Sequence, residues 1–158
     1  MKLLIMAALQ IFILNSAFAE MTGVYVGKGD AEYAGRHGTC EVSFEILETD
    51  NSFVIGGKES YFICTKTGFS FYFPAEKYKK RDPHNYDYVL LNSLNQIAGS
   101  FFPNTISIAE RCDKNTPMGE GLCGANFNLR PNGDLTIMLG KFSTGFPKNL
   151  IATLRRKK

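Results

Sequence analysis

Apolar and polar side chains alternate along much of this chain. The clearest case is residues 40–46, in which every second residue is apolar and the residues between them are Glu41, Ser43 and Glu45. Because successive side chains of a β-strand point to opposite faces, this pattern predicts a strand with one buried face and one wet face. The carboxylates of Glu41, Glu45 and Glu48 are expected to face solvent.

The same alternation predicts further strands at 22–33, 53–56, 60–65, 69–73, 105–111, 124–130, 134–139 and 149–155. Residues 131–134 carry the best hairpin signal, because Asn132 and Gly133 accept the positive φ that a tight turn requires. Residues 75–80 are a helix candidate, and residues 88–97 suit either one or two helical turns or a strand.

Eight or nine short strands with little helix, separated by turns about every 8–12 residues, are typical of an all-β fold. We predict an antiparallel meander that closes as a small barrel of about eight strands, because closure removes the exposed sheet edges that a meander leaves. A β-sandwich is the alternative. Gly27 and Gly29 are expected to mark a bulge near a barrel corner.

The first nineteen residues have a different pattern. A positively charged start precedes an apolar run at 3–14, and Ala17 and Ala19 form the A-x-A pattern that signal peptidase accepts. The run is shorter than the roughly twenty residues needed to span a bilayer as a helix. We therefore expect residues 1–19 to be a cleavable signal-peptide helix and residues 20–158 to be a single β domain without a transmembrane segment.

The mature chain is expected to be exported, either to a periplasm or out of the cell. The sequence contains no Asn-x-Ser/Thr sequon, which favours a bacterial periplasm over a glycosylating route. Removing residues 1–19 takes away Lys2 and no acid, which leaves 17 basic against 15 acidic residues and a net charge of +2. That balance is too small to indicate a nucleic-acid partner.

All four cysteines follow the expected cleavage site. An even count in an exported chain indicates two disulfides, with three possible pairings. We favour Cys112 with Cys123, because proline and glycine between them suit a loop closed by a bridge, and Cys40 with Cys64 on neighbouring strands. A zinc site built from the four thiolates is the alternative.

Gly23, Val24 and Tyr25 at the start of the first strand resemble the G-x-W opening of lipocalin-type, calycin-like barrels, with Tyr in place of the usual Trp. In those barrels the last strand places an arginine over the aromatic ring. Arg155 and Arg156 stand where such an arginine would be. The resemblance covers only these few residues, so it implies architecture and carries no ligand chemistry.

Residues 69–88 are the most distinctive segment, because aromatic residues surround a basic run at 77–81. Rings supply stacking area and cations supply long-range attraction for a ligand or partner. The alternative is a solvated basic loop beside aromatic residues that face the core. The residues predicted to bind a ligand or partner are Tyr72, Tyr78, Lys79, Lys80, Arg81, Tyr86 and Tyr88.

Catalysis finds little support, because His37 and His84 belong to no nucleophile or metal motif. We expect no catalytic residue, metal or cofactor, and rank an enzyme last. The expected function is that of an exported, non-enzymatic β-barrel that binds a small apolar or amphipathic ligand. The alternative is a protein-interaction or inhibitor module of the cell envelope that presents the loop 74–85 or the loop 112–123.

Overall fold

The computed structural model describes residues 20–33, 36–66, 69–81, 88–112, 121–142 and 149–158. Within these ranges the chain forms twelve β-strands and no helix. The strands are β1 (Gly23–Tyr33), β2 (Arg36–Thr49), β3 (Ser52–Ile55), β4 (Tyr61–Cys64), β5 (Phe69–Tyr72), β6 (Glu76–Lys80), β7 (Val89–Leu91), β8 (Ile97–Phe102), β9 (Thr105–Cys112), β10 (Gly121–Leu129), β11 (Leu135–Phe142) and β12 (Asn149–Arg156).

Ten of these strands close into an antiparallel barrel. They follow the order β1-β12-β11-β10-β9-β8-β7-β6-β3-β2, and β2 pairs with β1 to complete the circle. The other two, β4 and β5, form a hairpin outside the barrel that pairs with the first half of β2. The predicted barrel is confirmed, with ten strands rather than about eight, and the sandwich alternative is wrong.

Three strands are additional to those predicted. β6 and β7 come from the two segments in which helix was considered, and β8 lies almost entirely outside them. Residues 76–80 form β6, with Tyr78 buried in the barrel and Lys77 and Lys79 exposed, which is the two-residue period of a strand. Residues 88–97 contribute β7 and the first residue of β8. The helix prediction for 75–80 is therefore wrong, because a strand this short gives only two or three alternating positions to recognise.

The barrel interior is filled by the apolar faces of its strands. Four large aromatic side chains in the interior are each at most 2% exposed: Tyr25, Phe44, Phe53 and Phe127. The rings of Phe44 on β2 and Phe127 on β10 have centroids 5.1 Å apart, although four pairings around the barrel separate these strands. This contact crosses the interior and joins opposite walls.

Residues 20–22 close one end of the barrel, which we call the capped end. Met21 is 2% exposed; its backbone N–H donates to Glu48 Oε2 at 2.9 Å, and its carbonyl accepts from the Tyr25 hydroxyl at 2.9 Å. Glu48 also accepts a hydrogen bond from Lys80 Nζ at 2.8 Å. The expectation that Glu48 faces solvent is wrong, because its position on β2 has the same parity as the inward residues Phe44 and Ile46.

Tyr25 and Arg156 adopt the arrangement that the resemblance to calycin-like barrels implies. The guanidinium carbon of Arg156 lies 5.4 Å from the centroid of the Tyr25 ring, and Arg156 Nη2 donates to the Tyr25 hydroxyl oxygen at 2.9 Å. Gly27 and Gly29 lie further along β1, where the register with β12 and β2 is continuous, so the expected bulge is wrong. A Cβ on Gly29 would lie 2.7 Å from the Cβ of Ala152, and glycine here allows β1 and β12 to approach closely.

The hairpin predicted at 131–134 joins β10 to β11. Gly133 has φ +86°, and the Arg130 N–H donates to the Asp134 carbonyl at 2.8 Å. The Asp134 N–H donates to Asn132 Oδ1 at 3.1 Å. A side chain at position 133 would meet no atom within 4 Å, so glycine is needed there for its conformation rather than for space.

The predicted disulfide between Cys40 and Cys64 is confirmed. The two residues lie opposite each other on β2 and β4, with Cα atoms 4.0 Å apart. Cys123 is also disulfide-bonded, whereas the side chain of Cys112, its predicted partner, lies outside the described part of the chain. The thiolate zinc site is therefore wrong for the bonded cysteines. In the described ranges there is no helix long and apolar enough to traverse a bilayer.

Candidate functional site

On one side of the barrel the described strands do not pair all the way across the wall, and we call this region the lateral gap. β7 pairs with β6 through only two residue pairs at the end of β6, and β8 pairs with β9 only up to Ile108. Beyond the turn at 92–96, the described chain places no strand between β6 and β9. The gap is bordered by residues 76–78 of β6 and by Glu110 of β9.

A set of packed rings, which we call the phenylalanine cluster, runs from the core toward this gap. It consists of Phe44, Phe62, Phe71, Phe73 and Phe127. The ring centroid of Phe73 lies 4.9 Å from that of Phe44, 5.6 Å from that of Phe62 and 4.7 Å from that of Phe71. Phe71 and Phe73 are only half-buried, because β5 pairs with β4 alone in the described sheet and leaves its other edge open.

Polar side chains from both borders meet across the lateral gap. Tyr78 is 5% exposed, and its hydroxyl oxygen lies 2.6 Å from Glu76 Oε2 and 3.2 Å from Glu110 Oε2. The Asn92 side chain also hydrogen-bonds to Glu110. Asn92 Oδ1 in turn accepts the N–H groups of Leu94 and Gln96, each at 3.0 Å, which holds the turn at the edge of the gap.

Burial raises the pKa of the Glu110 carboxyl above its ordinary value, and the negative charge of Glu76 raises it further. Hydrogen bonds from Asn92 and Tyr78 act in the opposite direction. Burial and then the hydrogen bond to Glu76 raise the pKa of Tyr78. The Tyr78 hydroxyl therefore keeps its proton near neutral pH and acts as a donor to the two carboxylates.

Replacing Glu110→Gln is expected to raise the thermal unfolding midpoint at pH 8. A carboxyl whose folded pKa lies above its unfolded pKa of about 4.3 binds its proton more tightly in the folded state. Its contribution to the free energy of unfolding is therefore present at low pH and falls as pH rises through the folded pKa. Circular dichroism melts should show the advantage of the glutamine variant shrinking as pH falls toward about 4.

Glu41→Gln, on the exposed side of β2, removes the same charge and is the control for a general charge effect. A variant at position 110 that is less stable than the wild-type protein at pH 8 would contradict the prediction.

The residues predicted to bind a ligand or partner do not share one face. Tyr78 and Lys80 point into the barrel, whereas Lys79 between them is exposed. Lys80 Nζ lies 2.8 Å from Glu48 Oε1 and 4.2 Å from the centroid of the Phe53 ring. Lys80 thus neutralises a carboxylate inside the capped end, and Tyr78 alone of these three borders the lateral gap.

The other predicted binding residues lie on different surfaces. Tyr72 is 63% exposed on the outer face of β5. Tyr88 is half-buried, with its ring centroid 5.3 Å from that of Phe101, and Arg81 is exposed just after β6. Tyr86 lies outside the described residues, as do positions 82–87 and 113–120 of the two loops predicted to face a partner.

Sequence reasoning did not single out Glu76, Glu110, Phe71 or Phe73 as individual site residues. A usable signal exists for Glu110, because the apolar alternation of β9 places an acid at the next inward position after Ile108. No comparable signal brings Glu76 and Glu110 together. Their side chains approach each other because β7 and β8, which separate β6 from β9, stop pairing before these two residues.

Over the described ranges, the fold is a ten-stranded antiparallel barrel in which Tyr78, Glu76 and Glu110 meet where β6 and β9 are not bridged by a strand. No family of known proteins and no curated protein matches the sequence. Among the described residues, no group of three or more histidines, cysteines and carboxylates is placed to hold a metal ion.

Proposed function

We propose that this protein is an exported, non-enzymatic binding protein that takes a small amphipathic ligand at the lateral gap. The observation that carries the proposal is the half-buried state of Phe71 and Phe73, whose rings continue the core packing beside the edge of β5 that is unpaired in the described sheet. Ligand sites are typically concave and mostly apolar, with a few polar groups that fix orientation. The phenylalanine cluster supplies the apolar part, and Tyr78, Glu76 and Glu110 supply the polar part.

The packing of the capped end limits where such a ligand binds. Tyr25, Phe53, Leu135 and Leu154 occupy that half and are at most 1% exposed. Toward the gap the inward residues include the small, half-buried Ala125. We therefore expect the ligand to insert its apolar part beside Phe71 and Phe73 and to keep its polar part at the rim.

Export is supported by the buried disulfide between Cys40 and Cys64, which are 1% and 2% exposed. Disulfides persist in oxidising compartments such as the periplasm and the extracellular medium. We propose that residues 1–19 are the signal peptide, since Met21 already contributes to the core. Edman sequencing of the protein recovered from its native compartment should begin at Glu20, and a chain that still begins at Met1 would contradict this.

Nile red, a neutral apolar dye whose emission rises on leaving water, tests the ligand site. We expect saturable binding to the purified protein and an affinity about tenfold lower for Phe71→Ala, since removing a ring takes away at least about 1.4 kcal/mol of contact. Tyr72→Ala is the matched control, because it removes a neighbouring ring from the opposite, outward face of the same strand. Equal affinity in the two variants, or no saturable binding, would contradict the proposal once melts show that both variants fold.

A protein-interaction module is the second candidate, and one observation favours it. The hairpin β4–β5 lies outside the barrel and presents Tyr61 and Tyr72 together on its outer face, with ring centroids 6.0 Å apart. Exposed tyrosines are common at protein interfaces. The same two variants separate the candidates, because partner capture from the envelope fraction would be lost in Tyr72→Ala and kept in Phe71→Ala.

A further inference from the structure

A second cleft lies at the capped end, away from the lateral gap. It has a volume of about 450 Å³ and lies between the β10–β11 turn, Glu20 and the end of β12. Its lining includes three arginines, Arg130, Arg155 and Arg156, and two acids, Glu20 and Asp134. We call it the arginine cleft.

One of the three guanidinium groups is already fixed. Arg156 Nη2 donates to the Glu20 carbonyl at 2.6 Å and to the Tyr25 hydroxyl oxygen at 2.9 Å. The group also lies over the Tyr25 ring. Its neutral partners hold it in place without cancelling its charge, so Arg156 contributes a fixed positive charge to the cleft.

The other two guanidinium groups lack partners. Arg130 and Arg155 are exposed, and in the described part of the chain neither side chain makes a hydrogen bond or an ion pair. The nearby Asp134 carboxylate accepts a hydrogen bond from Asn132 Nδ2 at 2.9 Å, within its own turn. Two arginines without a side-chain partner among the described residues therefore line one cleft.

We infer that the arginine cleft binds a phosphate group through Arg130 and Arg155. A guanidinium presents donors in a planar fork that matches two phosphate oxygens, and two such groups can each take a separate edge. A phosphate monoester carries between one and two negative charges at neutral pH, with its second pKa near about 6. It therefore matches two free cations better than a carboxylate, which carries only one negative charge.

The size of the cleft sets the kind of molecule that carries the phosphate. A volume of about 450 Å³ is near the lower end of ligand pockets, which span about 300–1,000 Å³. It suits a phosphate with a small organic group, either a soluble ester or the headgroup of an anionic lipid. Because the arginine cleft lies at the opposite end from Glu110 and β5, this inference is independent of the ligand proposed for the lateral gap.

Titration of the purified protein with inorganic phosphate, followed by NMR at constant ionic strength, tests the site. We expect Arg130→Ala and Arg155→Ala each to weaken binding about tenfold, since each removes charge-assisted hydrogen bonds to the phosphate. Binding should also strengthen between about pH 5 and pH 8 as phosphate gains its second charge. Arg36→Ala is the matched control, because Arg36 is an exposed arginine at the opposite end of the barrel.

Two further ligands distinguish the sources of the phosphate. Glycerol 3-phosphate represents a soluble ester, and phosphatidylcholine vesicles with and without phosphatidic acid represent a lipid headgroup. Arginine-dependent binding to either one supports the site and identifies its source. Unchanged phosphate affinity in both cleft variants, or an equal loss in Arg36→Ala, would overturn the inference, and thermal melts establish that all three variants are folded.

Discussion

Phe44→Ala is expected to lower the free energy of unfolding by about 3–5 kcal/mol, as large-to-small substitutions of buried phenylalanine do. Phe44 is 2% exposed, and its ring contacts those of Phe73 and Phe127 at centroid distances of 4.9 and 5.1 Å. Its removal therefore takes away the ring contact between β2 and β10, two strands on opposite walls that share no backbone pairing. The loss is a large share of the roughly 5–15 kcal/mol by which domains are stable.

Urea unfolding followed by circular dichroism measures this loss. Leu47→Ala is the matched control, because Leu47 lies on the same strand, points outward and is 47% exposed. Exposed positions of this kind usually change stability by less than about 0.5 kcal/mol. Similar losses at positions 44 and 47 would mean that the contact of Phe44 across the barrel does not hold the walls together.

Removing the Cys40–Cys64 disulfide is expected to cost about 3 kcal/mol, the second large effect. The bond closes a loop with a sequence separation of 24 residues. A closed loop of this length lowers the conformational entropy of the unfolded chain, which stabilises the folded state by about 3 kcal/mol. The bond also fastens the β4–β5 hairpin, which lies outside the barrel, to β2. The double variant Cys40→Ala with Cys64→Ala should therefore have a lower urea midpoint than the oxidised wild-type protein.

The reduced wild-type protein is the companion measurement for this variant. Both cysteines are almost fully buried, and alanine leaves no polar group without a partner at either site. Dithiothreitol should lower the midpoint of the wild-type protein at least as far as the double substitution does, because it also acts on the bond at Cys123. A double variant as stable as the oxidised protein would show that the hairpin needs no cross-link.

Nine of the twelve strands were predictable from alternation, and β6, β7 and β8 were not. β2, β9, β10, β11 and β12 were all recognised from alternation over six or more residues, and the turn at Gly133 followed from the conformational freedom of glycine. β7, with three residues, was ambiguous because a short apolar run suits a helix as well as a strand. The strand count was therefore too low.

The site was less predictable than the fold, because its residues come from distant parts of the sequence. Tyr78 was among the predicted binding residues, but Glu110, which lies 32 positions later, was not. Lys80 was predicted to meet a ligand, yet it neutralises Glu48 inside the barrel. Charge and aromaticity identify candidate residues. Whether a residue stands at an inward or an outward position of its strand decides which of them face the interior.

Local physics in the sequence was enough to predict nine of the twelve strands, to favour the Cys40–Cys64 pairing and to place an arginine near Tyr25. Each depends on short-range periodicity, on the count of cysteines or on a brief motif. Only the tertiary structure decided the number of strands in the barrel, the lateral gap and the meeting of Glu76, Tyr78 and Glu110. These features depend on where each strand stops pairing, and that point is set by competition among all the neighbours of a strand rather than by its own residues.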